Sequence, residues 1–280
     1  MQSKMYFKKS FLKCGTCSQA VFHLLNNEFS NSLKLEEKAA DPFAGGLLRK
    51  GYQCGMLWGA ALAIGYKSAK TTKNDNEAIL NSIETTILMQ NSFIERAKSA
   101  DCKDISECDF ENKFSFIKFM LKTITSGFIF SKCFNLLANW IPDALQTIKY
   151  GFSKRYYKDK SIYNCAVQTA IKSEVTREEA IAVSGFAGGI GLSGNVCGAL
   201  GATIYISSLR LLKHNPNIDF SQTNIELEKI IFSFLELTNG EYLCKNITKC
   251  KFNSIEEHSN YLSCGGCKNL IDKLAKLSVY

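Results

Sequence analysis

Twelve cysteines in a chain of 280 residues are the feature most able to do chemistry. Two pairs, Cys14-Gly15-Thr16-Cys17 and Cys264-Gly265-Gly266-Cys267, have Cys-x-x-Cys spacing. That spacing suits a dithiol/disulfide couple with one nucleophilic and one resolving sulfur. A thiol acts as the thiolate, and the amides and dipole at a helix start lower its pKa. Both pairs are read as lying at helix starts. Neither sits in a βαβ pattern, so a thioredoxin fold is not implied. Ser18 and Lys268 follow where covalent c-type haem attachment needs histidine. With only three histidines, His23, His214 and His258, none at i, i+3 or i+4 spacing, a histidine-built metal site or HExxH hydrolase has almost no material.

All the cysteines except Cys14 and Cys264 belong to an internal repeat. Pro42-Phe43-Ala44-Gly45-Gly46, with Cys54-Gly55 following, recurs as Gly185-Phe186-Ala187-Gly188-Gly189, with Cys197-Gly198 following. In both copies the cysteine comes eight positions after the second glycine, and the offset is 143. Asp101-Cys102 through Cys108 matches Leu243-Cys244 through Cys250 at an offset of 142. Cys17 corresponds to Cys165, and Cys133 to Cys267. Cysteines kept only for volume would have no reason to hold order and spacing between two diverged halves. The chain therefore reads as a tandem duplication, with units of about 1–150 and 151–280. Order-preserving duplication also predicts that each set of sulfurs converges in space.

The elements that must position these sulfurs read as helices. Ser18–Phe29 puts Val21, Leu24 and Leu25 on one face, and Asn76–Ala97 spaces Ile79, Leu80, Ile83 and Ile87 at helical intervals. Thr176 with Glu179 is a capping-box signature. Phe114–Ala138 and Lys268–Leu277 are amphipathic. No Asn-Gly hairpin turn joins alternating runs. The fold class is all-α, two homologous helical repeats packed as an intramolecular pseudo-dimer, with Cys54 and Cys197 at the N-terminal ends of long buried helices. Trp58 and Tyr205, at comparable positions after these cysteines, read as core aromatics.

Composition narrows the setting. Apolar residues make up 46% and charged residues 21%, and there are 3 prolines, which excludes disordered, collagenous and Pro-rich classes. The first residues carry Lys4, Lys8, Lys9 and Lys13 and no apolar run, so they do not read as a secretory signal, and the expected location is cytoplasmic. In a reducing cytosol, many cysteines point to redox chemistry or metal ligation. The net charge of +8 includes a dense run over 149–160, with Lys154, Arg155, Tyr156, Tyr157 and Lys158, read as a solvated connection between the halves. No nucleic-acid motif accompanies it. Thirty uncharged residues between Glu179 and Arg210 are long enough to span a bilayer. Their seven glycines favour a loop leading into a buried helix. Membrane association is accordingly not expected.

Tyr163-Asn164-Cys165-Ala166, Gly185-Phe186-Ala187-Gly188-Gly189-Ile190-Gly191, Cys197-Gly198-Ala199-Leu200, Leu243-Cys244 and Cys267-Lys268-Asn269-Leu270 together resemble the C_GCAxxG_C_C family of redox-active proteins. Members usually carry one such unit with four characteristic cysteines. The resemblance implies Cys165, Cys197, Cys244 and Cys267 as one set and Cys17, Cys54, Cys102 and Cys133 as the other. It departs from the pattern at Met56, where alanine is expected, and at Ala202, where the glycine comes one residue early. The spacing from Cys250 to Cys267 is 17, against 25 from Cys108 to Cys133.

Two chemistries fit these sulfurs. One is electron or thiol/disulfide exchange with a redox partner. The other is ligation without turnover, in which Cys165, Cys197, Cys244 and Cys267 hold an iron–sulfur cluster or zinc. Gly45, Gly46, Gly188 and Gly189 are candidates for bringing backbone amides to a bound group. No Gly-Lys-Ser/Thr follows them, so they are not a nucleotide-binding Walker motif.

Overall fold

In the computed structural model, described over residues 3–154, 156, 161–220 and 224–278, fifteen α-helices and no β-strand are found among the described residues. After an N-terminal helix α1 (Lys4–Cys14), the two halves run in parallel. The first comprises α2 (Cys17–Glu28), α3 (Lys34–Ala39), α4 (Gly55–Thr71), α5 (Asp75–Ala97), α6 (Cys102–Ser106), α7 (Lys113–Thr125) and α8 (Lys132–Ser153). The second comprises α9 (Cys165–Lys172), α10 (Arg177–Ala182), α11 (Gly198–His214), α12 (Ile225–Thr238), α13 (Cys244–Thr248), α14 (Ile255–Ser263) and α15 (Lys268–Leu277). Short 3₁₀ turns, Asp41–Phe43 and Ser184–Phe186, occupy matching places before α4 and α11.

Side-chain caps fix several helix starts. Asn74 accepts from Glu77 N ahead of α5, and Asn164 accepts from Ala166 N and Val167 N ahead of α9. Thr176 and Glu179 form the capping box expected from the sequence, satisfying each other's backbone N–H groups. The amphipathic run expected over Phe114–Ala138 is broken. Gly127 (φ 79°) and Phe128 (φ 49°) turn the chain between α7 and α8, and α7 leaves Phe114, Ile117, Leu121 and Ile124 exposed.

Helices α4 and α11 form the centre and are almost wholly buried. Helix α4 packs on α2 and α5 of its own half and on α10 of the other. Helix α11 packs on α9 and α12 and reaches across to α3. The crossing is therefore reciprocal, as a pseudo-twofold arrangement requires. Repeat-equivalent residues meet where the two halves cross. Phe43 and Phe186, 143 apart, touch edge to face at 5.7 Å. Trp58 stacks on Phe43 at 4.6 Å and meets Phe186 edge-on at 4.7 Å. A Cβ on Gly201, the repeat counterpart of Trp58, would lie 2.8 Å from the Trp58 Cη2 atom. Tyr205 thus does not hold the position comparable to Trp58. It corresponds to Leu62, and its hydroxyl shares a buried hydrogen bond with Tyr66 at 3.1 Å.

The uncharged stretch resolves into the end of α10, a glycine loop and most of α11. No helix among the described residues is long and apolar enough to cross a membrane. Of the basic run, Lys149 pairs with Glu28 at 3.1 Å and Lys154 lies over the Tyr150 ring. Arg155, Tyr157 and Lys158 lie outside the described residues.

Candidate functional site

Eight of the twelve cysteines begin a helix. Cys17, Cys102, Cys165 and Cys244 are the first residues of α2, α6, α9 and α13. Cys54, Cys197 and Cys267 are the N-caps of α4, α11 and α15, and Cys133 is the second residue of α8. The other four stand elsewhere. Cys14 ends α1, Cys264 is the C-cap of α14, and Cys108 and Cys250 follow α6 and α13. Only the second cysteine of each Cys-x-x-Cys pair is therefore at a helix start, which corrects the sequence reading for Cys14 and Cys264. A helix start offers unpaired N–H groups and the positive end of the dipole, both favourable to a thiolate.

The glycine loops bring these starts together with identical backbones. Residues 45, 46, 47, 48, 49 and 51 all have positive φ, and so do 188, 189, 190, 191, 192 and 194, their counterparts at 143. Gly46 and Gly189 must be glycine in this path, because a Cβ would press on the backbone of Tyr52 or Asn195 at 2.5 or 2.7 Å. Each loop then clamps two cysteine-bearing segments. Cys54 N donates to Ala100 O and Cys102 N to Tyr52 O, while Cys197 N donates to Tyr242 O and Cys244 N to Asn195 O. Gly45 N–H points at the Cys17 sulfur, and Gly188 N–H at that of Cys165. The glycines act here through the cysteine sulfurs.

In the second half, Cys165, Cys197, Cys244 and Cys267 line one small cavity of about 10 Å³, shared with His258 and Tyr261. That is about the space of a single water. Burial pushes Cys165 up to about 12 and raises Cys197, Cys244 and Cys267 above the ordinary thiol value. The Tyr261 hydroxyl, which donates to the Cys267 sulfur, only partly offsets this. His258 is 2% exposed, burial holds its ring down to about 4, and its Nδ1 has no hydrogen-bond partner. Both residues escaped the sequence reading, in which a lone histidine and a tyrosine outside any repeated motif carry no signal.

The first half differs electrostatically. The Cys54 thiol hydrogen-bonds to the Cys17 sulfur and is the largest influence on it. Burial opposes ionisation, but the N–H groups of Gly45, Ser18 and Cys17 itself add to the stabilisation, and the net effect lowers Cys17. Cys54, as the donor, is raised, first by that bond and then by burial. Burial raises Cys102 and pushes Cys133 up to about 12, and both feel the charge of Cys17. Cys14, the other half of the Cys-x-x-Cys pair, is pushed up to about 11 by burial.

These cysteines are what the family comparison recognises. The model of a family described as "Putative redox-active protein (C_GCAxxG_C_C)" matches residues 15–139 and again 163–279. The chain belongs to the C_GCAxxG_C_C family. Each match contains one set of four helix-start cysteines, so the family unit is present twice, as the repeat arithmetic requires. Cys14 falls one residue before the first match. No curated protein and no solved structure matches the chain.

The sulfurs as arranged do not fit a metal centre. No group of three or more His, Cys, Asp or Glu among the described residues is placed to hold an ion, and the second-half cavity has no room for a four-iron cluster.

Proposed function

We propose that the protein is a thiol/disulfide exchange protein in which Cys17 is the nucleophile and Cys54 the resolving thiol. The observation that carries this reading is the arrangement at one contact, where the half-buried Cys17 starts α2 with its sulfur against the Cys54 thiol and the Gly45 N–H, both of which favour its thiolate, while burial raises Cys102 and Cys133 around it. Perturbed thiols with a specific partner mark reactive cysteines. Cys17 is half-buried and Cys54 buried, an order suited to a first attack from outside and a second from within.

The chemistry is two-electron. The Cys17 thiolate attacks a disulfide, forms a mixed disulfide and expels one thiolate. Cys54 then loses its proton, attacks the Cys17 sulfur and expels the second thiolate, leaving a Cys17–Cys54 disulfide and two reduced thiols. The second-half sulfurs, neutral and enclosed, support the scaffold. The reading belongs to a reducing compartment such as the cytosol, where resting thiols are maintained.

The test is a redox titration of the reduced protein in a dithiothreitol buffer, with disulfides mapped by peptide mass spectrometry. Cys17–Cys54 is expected to oxidise first. Oxidation first at Cys14–Cys17, or at Cys264–Cys267, overturns the assignment.

A further inference from the structure

Helix α7 turns an apolar stripe to solvent. At 3.6 residues per turn, Phe114, Ile117, Leu121 and Ile124 fall within an arc of about 80°. All four are exposed, Phe114 by 85%. The opposite face holds the helix to the protein. There Thr123 is buried, Ser115 Oγ accepts from Asp109 N at 2.8 Å, and Phe119 meets Phe110 edge to face at 5.4 Å. The turn after α7 adds two more exposed rings, Phe128 and Phe130.

The fold does not need this stripe. Helix α14 is the counterpart of α7, since their N-caps, Asn112 and Ser254, are 142 apart and each accepts from the backbone N–H three residues on. Along α14 the positions of Phe114, Ile117 and Leu121 are taken by Glu256, Ser259 and Ser263. The first half is also longer here, with 25 positions from Cys108 to Cys133 against 17 from Cys250 to Cys267. Helix α7 accordingly has 13 residues against 9 in α14. Ile124 lies in that extension, and Phe128 and Phe130 in the lengthened turn behind it. An exposed apolar patch that packing does not require marks an interaction surface.

Charge selects what covers it. Lys113 and Lys118 flank the stripe on its two sides, Lys122 follows, and α7 contains no acidic residue. Lys113 and Lys118 are exposed and make no ion pair among the described residues, while Lys122 and Lys132 share Glu107. A second copy of the chain laid along the stripe would set lysine against lysine. An anionic bilayer answers both demands, because acyl chains accept the stripe and the headgroups accept ammonium groups on snorkelling side chains. The expectation against membrane association concerned a spanning segment. At about 20 Å, α7 is too short to span, but a helix lying in the interface needs no such length. We propose that α7 docks the protein on an anionic lipid surface, with its stripe among the acyl chains and Lys113 and Lys118 at the headgroups.

The docking face is separate from the thiol chemistry, and either can fail without the other. The test is co-sedimentation of the reduced full-length protein with vesicles of phosphatidylcholine alone or with about one-third phosphatidylserine. Binding to the anionic vesicles should be tighter by about tenfold or more and should weaken as salt rises. Ile117→Ser with Leu121→Ser should weaken it by about a hundredfold. Lys113→Gln with Lys118→Gln should weaken it by about twentyfold, at about fivefold per lysine. Phe232→Ser, which alters an exposed ring on α12, should leave it unchanged. No binding to anionic vesicles, equal binding to both vesicles, or a loss with Phe232→Ser as large as with the serine pair overturns the proposal. So does a dimer in solution that the serine pair dissolves and vesicles do not compete for, which gives the stripe to a second copy. Should the serine pair fail to fold, the lysine pair decides, and undiminished binding there overturns the proposal.

Discussion

Gln53 is bound by its own repeat counterpart. Its Oε1 accepts from the backbone N–H of Val196, exactly one offset of 143 away, at 3.1 Å, and its Nε2 donates to Gly189 O at 2.8 Å. The side chain is fully buried and joins the first-half loop to the second-half glycine loop. Replacing it with methionine keeps the length but leaves the Val196 N–H without a partner, while the Gly189 carbonyl keeps the Ser193 hydroxyl. An orphaned buried N–H costs about 1–3 kcal/mol. Gln53→Met should therefore lower the urea midpoint by an amount equivalent to about 1–3 kcal/mol, with little change in helical circular dichroism.

The Cys54 thiol is the largest influence favouring the Cys17 thiolate. Cys54→Ala removes that donor, so Cys17 should titrate higher and its iodoacetamide alkylation at pH 7 should slow by about tenfold or more, tenfold being one pH unit. Cys54→Ser retains a hydroxyl donor and should keep most of the rate. Equal slowing in both variants would show that Cys54 acts through packing instead.

Much of this arrangement is legible in the sequence, and the limits are specific. Constant offsets predicted superimposable halves, and the eight-residue interval from Gly46 and Gly189 placed Cys54 and Cys197 at helix starts, because a loop of fixed length ends at a fixed point. The same reasoning misplaced Cys14 and Cys264. Helical periodicity continues through both, and only the left-handed Gly15 and Gly265 behind them end the preceding helices. Periodicity likewise marked α7 as having an apolar face but could not say what covers it. That Cys17 is lowered was hidden altogether, since it depends on Cys54 and Gly45, which are distant in sequence from Cys17. Burial, which raises the equivalent Cys165, is a property of the packed halves.

His258 makes the second half sensitive to acid. Its folded-state value of about 4 lies below the ordinary 6.5. Above pH 6.5 the ring is neutral folded or unfolded, and its contribution to stability is fully present. As pH falls from 6.5 towards 4, the unfolded chain takes up a proton that the folded protein refuses, and about 3 kcal/mol is lost. His258→Phe introduces the residue found at the counterpart position, Phe116. It should flatten the fall in urea midpoint between pH 7 and 4.5, whatever it does to stability at pH 7.

Two glycines separate strain from function. Gly240 (φ 82°) has open space around its missing Cβ, so Gly240→Ala should cost only the left-handed backbone penalty of about 1–2 kcal/mol. Gly46 (φ 79°) has the same backbone demand, but its Cβ would press on the backbone of Tyr52, which also receives the Cys102 N–H. Relieving that clash must move the loop, and with it the adjacent Gly45 N–H that faces the Cys17 sulfur. Gly46→Ala should therefore be the more destabilising change by denaturant titration, and it should also slow Cys17 alkylation at pH 7. Gly240→Ala should leave that rate unaltered. Should Gly46→Ala unfold the protein outright, Gly45→Ala gives a second reading. There the Cβ meets Arg49 at 3.0 Å, a milder contact, and slower alkylation is still expected because the same N–H is displaced. Unchanged Cys17 reactivity in a folded Gly45→Ala protein would mean that the glycine loop positions the helices without tuning the thiol.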